Sequence, residues 1–259
     1  MVILFKVFYK IKFLIVKIIR LFFSYLNGGV NCIICGNTTF IYPVCRTCIK
    51  NYFSIDAKSL ENRCEHCGRE LISTKHFCTK CREASILKNT DYIFPLFSYR
   101  LWNKELLFLW KIKEVRNLSF LFSSFVNKAL LLLNSEFIVP VPPRKGKIRK
   151  KGWDQINELC NILEIFYNYK VLKLLKRLSS EEQKKLNRQE RLETIKNAYI
   201  LESQKQLNKE LKKNKGIIPE KICLIDDVCT TGSTIECCSK ILKEAGVREI
   251  NVITLFIVD

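Results

Sequence analysis

The sequence predicts an α/β fold: a parallel sheet flanked by helices and preceded by a small zinc module of the four-cysteine type. Three observations carry this expectation. From residue 136 to residue 259, strand-like and helix-like patterns alternate, as they do when helices cover the faces of a parallel sheet. Within that region, residues 222–234 read Ile-Cys-Leu-Ile-Asp-Asp-Val-Cys-Thr-Thr-Gly-Ser-Thr, a buried strand that ends in two carboxylates and runs into a hydroxyl-rich turn. Upstream, eight of the 13 cysteines fall into four Cys-x-x-Cys pairs between residues 32 and 81.

A chain of 259 residues with 48% hydrophobic content has room for one domain of ordinary size plus something smaller. The pattern divides it into a basic apolar N-terminal helix (1–29), a double zinc-ribbon-like module (30–91) and an α/β domain (92–259). Thirteen cysteines invite comparison with a secreted disulfide scaffold, but four regular pairs suit metal binding in a reducing compartment, which places the chain in the cytoplasm. The formal charge of +19 falls to roughly +15 once eight thiolates hold two zinc ions. Such a balance favours polyanions such as nucleic acid or anionic membrane.

Residues 1–26 are strongly apolar, yet Lys6, Lys10, Lys12, Lys17 and Arg20 interrupt every short run, so no uncharged core long enough to span a bilayer precedes the break at Asn27, Gly28 and Gly29. The ordered layout of a signal peptide is missing as well. On a helical wheel Lys6, Lys10, Lys17 and Arg20 share a narrow stripe opposite a broad apolar face. That face suits peripheral contact with a membrane, at the inner face of the cytoplasmic membrane, or packing against the body of the protein; the sequence leaves both open.

The cysteine pairs are Cys32/Cys35, Cys45/Cys48, Cys64/Cys67 and Cys78/Cys81, with spacers of nine, fifteen and ten residues. Each turn presents two thiolates to one metal, and two turns complete a closed tetrahedron, so two structural zinc ions are expected. Sequential and interleaved pairing remain open. His66 and His76 are superfluous to an eight-thiolate count, and Gly36 and Gly68 each follow a pair directly, as tight knuckles require. The module's basic residues, among them Lys50, Arg63, Arg69 and Arg82, permit contact with nucleic acid.

An apolar stretch covers residues 92–133. Beyond it the pattern reads as a strand at 137–141, a basic loop at 142–152, a helix at 153–167 and an apolar run at 171–175. A polar helix at 180–192, a strand at 198–201 and a lysine-rich linker at 202–215 follow, the linker read as a solvated loop. A strand at 221–226, a helix with Ile235, Ile241 and Leu242 that stops at Gly246, and a last strand at 250–258 complete the region.

The junction at 222–234 carries the chemistry. Backbone N–H groups at a helix N-terminus favour a phosphate, Gly232 lets the backbone approach it, and Thr230, Thr231, Ser233 and Thr234 supply hydroxyl donors. Asp226 and Asp227 stand where open sheets bind ligands, and suit a vicinal diol or the waters of a magnesium ion. Carboxylates beside a phosphate cradle point to a sugar phosphate. The loop from Arg144 and Lys145 to Lys151 holds six positive charges in eight residues and suits pyrophosphate, or is a solvated basic loop.

This segment closely resembles the signature with which type I phosphoribosyltransferases hold phosphoribosyl pyrophosphate. The resemblance implies that Asp226 and Asp227 take the ribose hydroxyls and that residues 230–234 cradle the 5-phosphate, with Mg2+ accompanying the ligand. Some enzymes of that superfamily carry an acidic base in this loop; here Cys229 and Thr230 stand in its place. Pro140-Val141-Pro142 before a basic turn, then Gly152, Trp153, Asp154 and Gln155, resemble the ComF family, competence-protein-F-like phosphoribosyltransferases. Lys111-Ile112-Lys113, the block Gln183, Leu186, Arg188, Arg191 and Asn197, and the four cysteine pairs are similar to that family too. Lys150-Lys151 and Asp154 depart from its usual Arg pair and Asn. Membership implies handling of incoming DNA in natural transformation, with single-stranded DNA and other transformation proteins as partners. An enzyme with an unidentified acceptor and a non-catalytic, ligand-sensing nucleic-acid-binding protein both fit the resemblance.

Overall fold

The computed structural model describes residues 2–71, 76–83, 87–143, 152–178 and 198–258. The chain opens with helix α1 (Val2–Leu26) and a short antiparallel pair, β1 (Val30–Asn31) and β2 (Thr38–Thr39). Helix α2 (Arg46–Tyr52), a 3-10 turn (Ala57–Leu60) and the short helix α3 (Thr79–Glu83) follow. The α/β body then runs β3 (Tyr92–Ser98), α4 (Leu101–Lys111), α5 (Leu118–Leu132), β4 (Phe137–Pro140), α6 (Gln155–Phe166), β5 (Lys170–Val171), β6 (Leu175–Arg177) and β7 (Tyr199–Leu201). It closes with α7 (Gln204–Leu211), β8 (Lys221–Cys229), α8 (Ser233–Glu244) and β9 (Glu249–Ile257).

Five strands form one parallel sheet in the order β3-β9-β8-β4-β5. β8 and β9 lie inside it and read as near-continuous apolar runs, as strands covered on both faces do. On one face, α4, α5 and α6 pack Leu106, Trp110, Phe122, Phe125 and Leu159 against Cys223, Ile225, Ile253 and Leu255. On the other, α7 and α8 with the β6–β7 pair pack Leu207, Ile235, Cys238 and Leu242 against Ile222, Leu224, Ile250 and Val252. Over Ile222 to Ile225 odd and even positions of β8 thus serve opposite faces, the two-residue period of a strand, and the alternation slips before Val228 and Cys229.

The cysteine segment shares the core of the sheet. Cys32, Val44, Cys48 and Phe53 belong to the α4–α5 side, and the Phe53 ring stacks on Phe125 at 5.5 Å between centroids. Its second half docks on edge strand β3. Arg63 donates to the Pro95 carbonyl at 2.8 Å and to that of Gly68 at 2.7 Å, with its guanidinium 4.6 Å from the Phe94 ring centroid. Gly68 has φ +67°, and a Cβ there would sit 2.1 Å from the Ile93 carbonyl oxygen, so only glycine allows this approach.

Three readings of the sequence need correction or qualification. The lysine-rich linker at 202–215 is not a solvated loop: α7 and a 3-10 turn (Lys212–Asn214) occupy it, with Leu207 and Leu211 buried one turn apart. Glu210 accepts from the Lys173 amide at 3.2 Å, and Lys213 donates to Glu164 at 2.7 Å, so lysines that read as solvated also tie the helix down. The strand at 198–201 pairs antiparallel with β6, outside the parallel sheet. The strand at 221–226 runs on to Cys229, paired with β9 at every position but Asp227. The polar helix expected at 180–192 lies outside the described residues.

Candidate functional site

Strand order creates the site. After β4 the chain crosses through α6 to β5, while after β8 it crosses through α8 to β9 on the opposite side. The crevice at the carboxyl ends of β4 and β8 is therefore a topological switch point, where open α/β sheets bind ligands. β4 pairs with β8 only over Ile138 to Pro140, the Val141 amide adds a bond to the Ile225 carbonyl at 2.9 Å, and Pro142 and Pro143 carry the chain away. From Asp226 onward β8 pairs with β9 and no longer with β4.

The two carboxylates at that opening are held differently. Asp227 is on the α4–α6 face: its Oδ2 receives Lys111 Nζ at 2.7 Å, from the last residue of α4, and Gln155 Nε2 at 2.7 Å, from the first residue of α6. Asp226 faces the α8 side, and its Oδ1 accepts the Asp227 amide at 2.8 Å. Among the described residues no cation forms an ion pair with Asp226. Burial first, and the neighbouring Asp227 charge second, push its carboxyl up to about 8. Asp227 is thus a fixed, neutralised carboxylate, and Asp226 an acid whose charge awaits a partner.

Beyond β8 the turn is largely exposed. Thr230, Thr231 and Ser233 are exposed and Thr234 is half-buried. Thr231 Oγ1 lies 2.9 Å from Ser233 Oγ and accepts the Ser233 amide at 3.3 Å. Gly232 caps α8 with φ +84°, and no side chain bonds the cap. A Cβ at Gly232 would meet Leu87 at 3.1 Å, and Lys88 and Asn89 bind Glu236 in the first turn of α8 through their amides at 2.8 and 3.1 Å. The segment leaving the cysteine clusters therefore braces the loop from behind.

Eight cysteines form two groups, Cys32, Cys35, Cys45 and Cys48, and Cys64, Cys67, Cys78 and Cys81, each with its sulfurs within 4.8 Å of one another. Pairing is sequential, which the sequence leaves open. Each group could hold a zinc ion: the first thiol of each receives an amide from the second knuckle, Cys45 N to Cys32 Sγ and Cys78 N to Cys64 Sγ, both at 3.3 Å. Burial alone would raise Cys32, yet the amides of Cys45, Cys35 and Ile34 bring it down to about 6. At Cys64 burial is likewise outweighed by the amides of Cys78, Cys67 and His66. One thiol of each group is thus prepared as a thiolate, and four sulfurs within reach of one another suit a closed tetrahedral site.

Of the residues singled out in the sequence, Asp226, Asp227, Thr230, Thr231, Gly232, Ser233 and Thr234 meet at the crevice. Arg144 and Lys145 lie outside the described residues, as does the block from Gln183 to Asn197. The sequence marks Lys111 and Gln155 only as parts of a resemblance; their bonds to Asp227 give them a role. Asp154, which departs from the usual Asn, caps α6 by accepting the Asn157 amide at 3.0 Å, a task either residue performs.

No family model matches the chain. It is 27% identical over 199 residues to competence protein ComFC of Streptococcus pneumoniae, covering 75% of this chain and 80% of the relative. It is 29% identical over 201 residues to competence protein F of Haemophilus influenzae, covering 73% and 82%. These two matches support the assignment of this chain to the ComF family.

Proposed function

We propose that the protein binds phosphoribosyl pyrophosphate with magnesium in the β4–β8 crevice and serves the handling of incoming DNA. The observation that carries the ligand is the meeting of Asp226, which pairs with no cation among the described residues, with a glycine-capped helix N-terminus beside the exposed Thr230, Thr231 and Ser233. Residues 230–234 would take the 5-phosphate through amides and hydroxyls, and Asp226 would accept hydrogen bonds from the ribose diol. Asp227, held by Lys111 and Gln155, keeps the strand end in place and brings an ammonium to the rim.

The donor set fits magnesium through carboxylate-held waters: Asp226 would hold it, and the ion would neutralise charge developing on a departing pyrophosphate. As a transferase the protein would join the anomeric carbon to an acceptor nucleophile while the bond to pyrophosphate breaks. The basic run at Arg144 and Lys145 is our candidate for the pyrophosphate. The role in DNA handling rests on the names of the two relatives, both competence proteins. Single-stranded DNA and other transformation proteins are the partners that role proposes.

A specific observation favours a second reading, a ligand-sensing protein that binds without turnover. Cys229, which stands where related enzymes place an acid, is buried, and burial with the Asp226 charge pushes its thiol up to about 11. It offers no base near neutral pH. Pyrophosphate release, measured with the sugar phosphate and magnesium against nucleobases and single-stranded DNA, separates the two. Release with any acceptor establishes the transferase; ligand binding with no release establishes the sensor; no binding at all overturns both.

A further inference from the structure

Helix α1 carries its apolar face in solvent. Val7, Ile11, Leu14, Ile15, Ile18 and Phe22 recur at helical spacing along one side and are each between 50 and 59% exposed. A helix that rested on its own protein through this face would bury it. Instead α1 meets α6 elsewhere, with Lys10 Nζ 5.8 Å from the Phe166 ring centroid. Its far end is fixed. The Gly29 amide closes the last turn on the Ser24 carbonyl at 2.7 Å, Tyr25 sits 5.9 Å from the Phe40 ring, and a Cβ on Gly29 would meet Thr38 and the Thr39 carbonyl at 2.8 Å. The helix is an arm anchored to the first cysteine knuckle, with an uncovered apolar side.

Charge selects what covers that side. Residues 2–26 contain Lys6, Lys10, Lys12, Lys17 and Arg20 and no Asp or Glu. On the helical wheel positions 6, 10, 17 and 20 share a narrow stripe opposite the apolar face. Two such helices would bring like charges together with nothing opposite, which disfavours a second copy of this chain. No helix among the described residues is long and apolar enough to cross a membrane. A basic, acid-free amphipathic helix is instead suited to lie in the plane of a bilayer, apolar side among the acyl chains and cations among anionic headgroups. We infer that α1 is an interfacial anchor that holds the protein on an anionic lipid surface.

Flotation of the full chain with vesicles tests the anchor. Binding to vesicles of equal parts phosphatidylglycerol and phosphatidylcholine is expected to exceed binding to pure phosphatidylcholine by about tenfold or more, and to weaken as salt is raised. Replacing Ile11, Ile15, Ile18 and Phe22 by Ser should abolish flotation and leave the melting temperature unchanged, since these side chains lie outside the core. Lys10→Glu with Lys17→Glu should remove the preference for anionic lipid. A wild-type chain that stays with neither vesicle, or a quadruple variant that floats equally well, overturns the anchor. So does a wild-type dimer in solution that the quadruple variant converts to monomer, because the face then belongs to a second copy.

Discussion

Lys111 and Asp227 meet across the mouth of the crevice, with Nζ 2.7 Å from Oδ2, although one ends α4 and the other lies near the end of β8. This pair divides the labour of two consecutive acids. Asp227 is neutralised from within the protein, and Asp226 is the carboxylate we propose for the ligand.

A double-mutant cycle on Lys111→Met and Asp227→Asn reads the pair directly. The Lys111 side chain is 37% exposed, so solvent screens the interaction and the coupling energy should be about 1 kcal/mol, measured by urea unfolding. Additive effects would show that the ion pair does not hold Asp227.

Asp226 makes stability fall with rising pH. Its folded carboxyl, raised to about 8, keeps a proton that the unfolded chain has already lost above roughly pH 4. The folded state therefore binds more protons across that window, and each pH step upward weakens it. Asp226→Asn should raise the melting temperature at pH 8 by about 2–4 °C, the effect of roughly 1 kcal/mol in a chain of this size, and change little at pH 4. Equal stabilisation at both pH values would mean that the charge is not the cause.

Gly68 joins the second cysteine cluster to β3. Gly68→Ala would place a methyl against the Ile93 carbonyl in a backbone conformation that alanine disfavours. A loss of about 3 kcal/mol is expected in thermal unfolding. An unchanged melting temperature would show that the cluster does not dock there.

Metal analysis should find two zinc ions per chain, with one lost on Cys32→Ser and the other on Cys64→Ser, because the groups share no sulfur. Chelation should lower the melting temperature, since Cys32 and Cys48 lie in the same core as Phe53 and Phe125. A stoichiometry of one would contradict the two-site geometry.

The loop at 230–234 is legible in the sequence because glycine, hydroxyls and acids sit within a few residues of one another. The cysteine groups are legible through their spacing, though their pairing is settled only by the fold, which brings Cys45 to Cys32 and Cys78 to Cys64. Lys111 and Gln155 have no role assignable from sequence, because tertiary packing brings α4 and α6 to the end of β8. The helix at 204–211 has a signal, Leu207 and Leu211 one turn apart, that the surrounding lysines obscure. Opposite orientations of Asp226 and Asp227 extend the two-residue alternation that runs from Ile222 to Ile225.

Isothermal titration of the wild-type protein and Asp226→Asn with phosphoribosyl pyrophosphate and magnesium tests the crevice most directly. The account predicts saturable binding at one site per chain, weakened at least about tenfold by a substitution that keeps shape and removes the capacity to ionise when the ligand binds. Wild-type affinity in the variant, or no binding by the wild type, would contradict it.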